Sequence, residues 1–223
     1  MLSPHSIYFH EDDHFLSVID TNCVQTKTFS PKDTPHLEKK FIYFIKSGVI
    51  KIYVFNAEGQ QKLLWLLGSG CMIPTFNLNF QKSIICLKTT KIIRIDKSYF
   101  ISSLVENDLF EEFTNQIYTR YESIIQRLIN TSQDSCLSRF MELLFSLCYL
   151  ARDNSRDQVQ IDTFLSRQDM AELVGTHVTN ISKFLLSLEL QGIIMRRGKQ
   201  IVIPDVALLQ NACLSFRKEK NDD

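Results

Sequence analysis

From Leu165 to Asp205 the chain reads LSRQDMAELVGTHVTNISKFLLSLELQGIIMRRGKQIVIPD, and within it His177, Val178, Thr179, Asn180 and Lys183 crowd into a short span. An imidazole, a hydroxyl, a carboxamide and an ammonium grouped at one helix start suit base edges and phosphates, and a valine methyl suits a thymine methyl. Downstream, Arg196, Arg197 and Lys199 surround Gly198. From Lys183 to Lys199 four basic residues stand against Glu189 alone, a local charge of +3 in a chain whose formal net charge is 0. Attraction for a polyanion is therefore local, and a second copy of the chain would double it.

The surrounding pattern says how these groups are held. Ser166 is a helix N-cap with Asp169 three residues on, where the first turn favours a carboxylate. Met170, Leu173 and Val174 recur at helical spacing, and Gly175 ends that helix, since glycine alone enters the left-handed region without steric cost. A second helix follows with Ile181, Leu185, Leu188 and Leu190 expected to face inward. Two helices joined by a tight glycine turn predict a helix-turn-helix, whose second helix enters the major groove by its N-terminal end. Gly192 to Ile203 holds two short apolar runs around a basic glycine turn, which predicts a β-hairpin and so a winged helix.

With 223 residues, 44% of them hydrophobic, the chain suits one large or two modest domains with real cores. No apolar run reaches the roughly 18 residues of a membrane span. The opening MLSPHSIYFHEDD lacks the basic-then-apolar order of a secretory signal, so a cytoplasmic protein is expected, with no membrane partner. There is no P-loop, no recognisable Ser-His-Asp setting and no metal-ligand motif, and an enzyme is not expected. His5, His10 and His14 beside Glu11, Asp12 and Asp13 imitate a metal site, but a solvated N-terminal arm explains them. The six cysteines, Cys23, Cys71, Cys86, Cys136, Cys148 and Cys213, form no C-x-x-C pair and have no zinc-finger spacing, so reduced, buried thiols are expected.

Residues 37–100 read as short strands. FIYFIKSGVIKIYVF splits at Lys46-Ser47-Gly48, NAEGQ is a turn, KLLWLLGSG ends on glycines, and IICLKTTKIIRID breaks at Lys88-Thr89-Thr90. Such spacing predicts an antiparallel roll or barrel. A short helix is expected from Tyr99 to Val105. Residues 108–133 contain no Gly or Pro, and Phe110, Phe113, Ile117, Tyr121, Ile124 and Leu128 recur every three or four residues. This is one long amphipathic helix with a stripe expected to meet a partner helix in a homodimer. A further helix is expected from Cys136 to Ala151, followed by a polar loop from Arg152 to Gln160. The expected fold class is α+β: a jelly-roll-like domain over 1–107, a dimerisation helix over 108–134 and a winged helix-turn-helix domain over 135–223.

Two segments, FIYFIKSGVIKIYVFNAEGQQKLLWLLGSGCMI and LSRQDMAELVGTHVTNISKFLLSLELQGII, together with the order roll, long helix, winged helix, resemble the Crp/Fnr family of bacterial transcription regulators over nearly the whole chain. The resemblance implies a dimer on a palindromic double-stranded operator, contact with RNA polymerase, and a signal in the roll that reorients the recognition helices through the long helix. It places Ser166, Arg167 and Gln168 at phosphate-holding positions and Arg196, Arg197 and Lys199 beside the wing. Where the family has arginine and glutamate early in the recognition helix, this chain has Val178 and Thr179. Lys183 stands for a later arginine, keeping the charge without the bidentate fork. A non-consensus, AT-richer operator is expected, read by His177, Val178, Thr179, Asn180 and Lys183.

The sensor departs further. The family's cyclic-nucleotide binders carry a Gly-Glu pair and an Arg-Ser/Thr pair, whereas GCMIPTFNLNFQKSIICL has no glutamate and no arginine and only Lys82-Ser83 as an echo. Burying a cyclic phosphate without arginine is costly, so cAMP and cGMP are not expected to bind. The stretch is apolar instead. Met72, Phe76, Phe80 and Ser83, with Tyr118 and Tyr121 from the long helix, suit a small apolar or aromatic effector, as in the family's halorespiration regulators, which sense chlorinated phenols. A collapsed roll without a pocket is the alternative. No cofactor is identified: only Cys23 lies where the family's iron–sulfur sensors carry a cluster, and nothing in the spacing of Cys71, Cys86 and His36 demands haem. Thiol redox sensing at Cys23, Cys71 or Cys86 is a further alternative, as is a degenerate regulator without effector or a protein-interaction module.

Overall fold

The computed structural model describes residues 8–9, 14–75, 81–151, 159–162, 165–198 and 200–218. The chain divides into two compact units, Tyr8–Ile124 and one built from Ile125–Asp223.

The first unit is a roll of two four-stranded sheets. One has the order β1 (Tyr8–Phe9), β5 (Gln61–Leu67), β4 (Ile50–Phe55), β7 (Gln81–Cys86). The other runs β2 (Val24–Phe29), β8 (Thr90–Asp96), β3 (Phe41–Ser47), β6 (Met72–Ile73). The pairing is antiparallel except that β1 lies parallel to β5, a departure from the all-antiparallel expectation made by a strand too short to signal itself. Ile45, Ile92 and Ile73 of one sheet join Ile50, Ile52, Trp65, Leu67 and Ile84 of the other in one core. The opposite face of β8 and β3, through Phe44, Ile93 and Ile95, packs on α1 (Lys97–Glu106) and the start of α2 (Phe110–Gln133). Phe100 and Phe113 meet edge to face there at 5.3 Å. Asp96 caps α1 by accepting from the Ser98 and Tyr99 amides at 2.9 and 3.2 Å, so the helix starts before Tyr99.

Gly48, in the β3–β4 turn, has φ +102°, and a Cβ there would lie 2.5 Å from Thr90 Oγ1 and 2.7 Å from the Thr89 carbonyl oxygen. Strain and overlap with backbone act together, so Gly48→Ala is expected to destabilise the roll by about 2–4 kcal/mol. Urea unfolding would read it. A midpoint unchanged from the parent would show that the turn relaxes at no cost.

α2 carries two apolar lines where the sequence suggests one. Phe113, Ile117 and Ile124 pack on the roll's clusters. Tyr118, Tyr121, Ile125 and Leu128 are exposed by 65, 52, 57 and 67%. Tyr121 and Leu128 therefore belong to a different side from Phe113 and Ile124, because steps of three and four from one start drift around a 3.6-residue helix.

In the second unit α3 (Cys136–Ala151) buries Phe140, Met141, Leu143, Leu144 and Leu147 and packs against α4 (Arg167–Val174), α5 (Val178–Leu190) and α6 (Val206–Lys218). The wing is a three-stranded antiparallel sheet, β10 (Met195–Arg197), β11 (Gln200–Ile203) and β9 (Val159–Asp162). Val159 and Gln160 thus lie in a strand rather than a loop. Val159 and Ile161 alternate inward against β11, a pattern too brief to read without its partner. Residues 152–158 lie outside the described residues.

Candidate nucleic-acid interface

α4 begins at a capping box. The Asp169 amide donates to Ser166 Oγ at 3.0 Å, and the Ser166 amide donates to Asp169 Oδ2 at 3.0 Å. Ser166 Oγ also donates to that carboxylate at 2.7 Å. The Ser166 hydroxyl, expected at a phosphate, is therefore engaged in starting the helix. Gly175 closes α4 with φ 71° and ψ 47°, the left-handed cap that the sequence demands.

α5 opens on His177, whose Nδ1 accepts from the Thr179 amide at 3.4 Å and lies 2.9 Å from Thr179 Oγ1. Asn180 Nδ2 donates to Thr176 Oγ1 at 2.9 Å. The start of α5 is thus held by side chains of the turn, while Thr179 and Lys183 stand exposed and Val178 and Asn180 are half-buried. Ile181, Leu185 and Leu188 are buried as expected, but Leu190 is 80% exposed. It follows Thr179, Lys183 and the 51%-exposed Leu186 on the outward line of the helix. Arg167 Nη1 reaches across from α4 to Ser182 Oγ at 3.2 Å, and Gln168 Nε2 donates to Glu172 at 3.2 Å.

The wing changes the charge count. Arg196 Nε donates to Glu189 Oε2 at 2.8 Å, its Nη2 makes a second bond to that oxygen, and its amide donates to Glu189 Oε1 at 3.3 Å. Arg196 thus commits its fork to α5, and Arg197 is the other exposed wing cation among the described residues; Lys199 lies outside them. The hydrogen bond from Arg196 holds the Glu189 carboxyl below the usual carboxylate range, and the same bond raises Arg196. Because the folded Glu189 value is depressed, the pair's contribution is present above the ordinary carboxylate range. It is lost as pH falls through the folded value. Glu189→Gln is expected to free Arg196 for a phosphate. Non-specific duplex affinity should rise severalfold, and the slope of log K against log[salt] should steepen by about one. A salt titration with no change in slope would place Arg196 away from DNA.

One positioning residue escaped the sequence reading. Arg139 of α3 is 9% exposed. Its Nε donates to the Val174 carbonyl at 2.7 Å, its Nη1 to the Asp134 carbonyl at 2.5 Å, and its Nη2 to Cys136 Sγ at 3.3 Å. One guanidinium therefore ties the last carbonyl of α4 to the bend that leads into α3. A lone arginine inside the apolar run of α3 was the available signal.

Residues 138–212 match the family described as the Crp-like helix-turn-helix domain. The CRP-like protein Clp of Xanthomonas campestris pv. campestris (strain B100) is 21% identical over 189 residues, covering 80% of this chain and 80% of its own. Residues 138–212 thus carry a Crp-like helix-turn-helix domain, and the chain is similar over most of its length to a CRP-like protein. Solved structures share the fold of this chain. FixK2 from Bradyrhizobium japonicum superposes with TM-score 0.72 at 13% identity, over 84% of this chain and 96% of that one. The OCPA-complexed CprK does so with TM-score 0.66 at 16% identity, over 92% and 98%.

Among the described residues, those expected to form the sensor do not converge. Met72 packs with the Phe44–Phe100 cluster, while Ser83 lies on β7 in the other sheet. Phe76 and Phe80 lie outside the described residues. Tyr118 and Tyr121 are on the exposed line of α2 rather than turned to the roll. An arginine does reach this region from the helix: Arg120, 7% exposed, donates to the Met72 carbonyl at 2.7 Å. Cys71 and Cys86 are buried, and burial pushes the Cys86 thiol up, away from the reactive thiolate, whereas Cys23 is exposed. Among the described residues no three His, Cys, Asp or Glu side chains gather as a metal site, and no helix is long and apolar enough to cross a membrane.

Proposed function

We propose that the protein is a Crp/Fnr-type transcription regulator that acts as a homodimer, presenting two α5 helices to a palindromic operator under control of a small apolar or aromatic effector received by the roll. The observation that carries this is the exposed line Tyr118, Tyr121, Ile125 and Leu128, whose steps of three, four and three are those of a coiled-coil seam. Two such helices side by side would cover it. Arg167, Gln168 and Arg197, with Lys199, meet the backbone, and Arg196 joins them when released from Glu189. His177, Val178, Thr179, Asn180 and Lys183 read bases. RNA polymerase is the protein partner. Cyclic nucleotides are not the effector, because the strand-to-loop segment after Gly70 lacks the acidic and arginine pairs that would hold them. If a thiol contributes a redox signal, the exposed Cys23 is the one placed to do so.

Operator selection from random duplex DNA tests the reading, first without ligand and then with aromatic acids and phenols. The expected product is an AT-rich palindrome with half-sites about one helical turn apart. A site with the family's usual half-sites would overturn the base-reading assignment. No enrichment in either condition would favour a protein-interaction module that has lost DNA binding.

A further inference from the structure

The roll has a second feature that the DNA-binding reading leaves unused. On β8, Ile92 and Arg94 share one side of the strand, and Ile92 belongs to the core between the sheets. Arg94 therefore occupies a position where the pattern calls for another apolar residue. Its cross-strand neighbours are Gln25 on β2 and Tyr43 on β3, and Ile92 faces Lys27. A row of the inner face has thus been given to polar and cationic groups. It lines a cavity of about 520 Å³ at this end of the roll.

The cavity has a built chemistry. Phe29, Leu37, Tyr43 and Ile92 form an apolar part of its lining, and Phe29 and Leu37 themselves rest on the core cluster. Lys27, His36 and Arg94 supply three basic groups against the single carboxylate of Glu38. That carboxylate is already shared between Lys40 at 3.3 Å and Arg94 at 3.5 Å. Arg94 is aimed rather than loose: Nε donates to Gln25 Oε1 at 2.8 Å, and its guanidinium lies 4.6 Å from the Phe41 ring centre. The Lys27 ammonium sits 5.1 Å over the Phe29 ring. The Glu38 amide donates to the Tyr43 hydroxyl at 2.9 Å, which fixes the segment carrying His36 and Leu37 as a wall.

We infer that this cavity binds a small organic anion with a flat apolar body, of the arylcarboxylate or arylsulfonate class. The ring lies against Phe29, Leu37 and Ile92, and the acid group meets Lys27, His36 and Arg94. The volume is in the range of small-molecule sites, and a few placed polar groups on an apolar lining are what such sites use. The site uses none of Met72, Phe76, Phe80 or Ser83, and its occupancy is read directly, so its failure and that of the DNA-binding reading are separate events.

The test is fluorescence titration of the full chain with 8-anilinonaphthalene-1-sulfonate, an aryl anion, beside the neutral N-phenyl-1-naphthylamine. Saturable binding of one anion per chain is expected, at least tenfold tighter than the neutral probe. Lys27→Glu and His36→Glu, both at exposed positions, should each weaken it at least tenfold. Lys91→Glu, on the other side of β8, should leave it unchanged. Circular dichroism melts of each variant confirm that the roll is intact. Anion binding undiminished in Lys27→Glu, a neutral probe that binds equally well, or no saturation would overturn the assignment.

Discussion

Aspartate at both Ile125 and Leu128 is expected to leave the protein folded but monomeric and to cost it most of its affinity for the proposed operator. The two side chains are 57 and 67% exposed in the single chain, so neither supports its own core. In the proposed seam each would be covered by its copy. Four such side chains per dimer, at roughly 1.5–3 kcal/mol each, are lost together with the gain of four mutually repelling carboxylates. A chain that grips one half-site alone forfeits the effective concentration of the second. Binding to the palindrome should fall by roughly 10²–10⁴-fold, while a single half-site is bound as before. Light scattering at micromolar concentration and a gel-shift titration read the two effects. A dimer that survives both substitutions would move the interface off α2 and sink the assembly proposed here.

Arg139→Ala is expected to act on stability and, through it, on the interface. Three donors lose their bonds with the Val174 carbonyl, the Asp134 carbonyl and Cys136 Sγ, in a place only 9% exposed. Truncation leaves acceptors without partners and a hole where the side chain packed, about 2–4 kcal/mol. In a unit of this size that lowers the Tm by roughly 10–20 °C. Arg139→Lys keeps the charge but cannot reach three acceptors at once, and it should recover less than half of the loss. DNA affinity measured well below the melting range separates the two roles. If Arg139 sets the placement of α4 and α5, specific binding falls while non-specific binding holds. A calorimetric scan of Arg139→Ala that overlays the parent would remove the residue from both roles.

The legible part of this protein is what a few neighbouring residues decide among themselves. Ser166 and Asp169 are three apart and make their capping box from the residues at hand. Gly175 supplies the left-handed cap that a Cβ would resist, and within the unbroken run 108–133 one long helix forms from Phe110 to Gln133. The bounds of α3 are those the periodicity gives, and the strands around Gly48 follow from alternation and turn chemistry. Family-level likeness adds the order of the parts.

Tertiary structure decided what depends on partners far along the chain. The periodicity of α2 cannot say which of its apolar residues meet the roll, and the structure gives Phe113, Ile117 and Ile124 to it while leaving Tyr118, Tyr121, Ile125 and Leu128 outside. The four residues Val159–Asp162 become a strand because β11 offers them a ladder. Arg196 looks like a DNA contact until the fold brings Glu189 beside it, and Arg139 looks like an oddity in an apolar helix until α4 ends against it. Arg94 shows its place on the inner face only when β2 and β3 flank β8. In each case the sequence carried the side chain, and the fold supplied the acceptor, the charge or the neighbour that gives it a role.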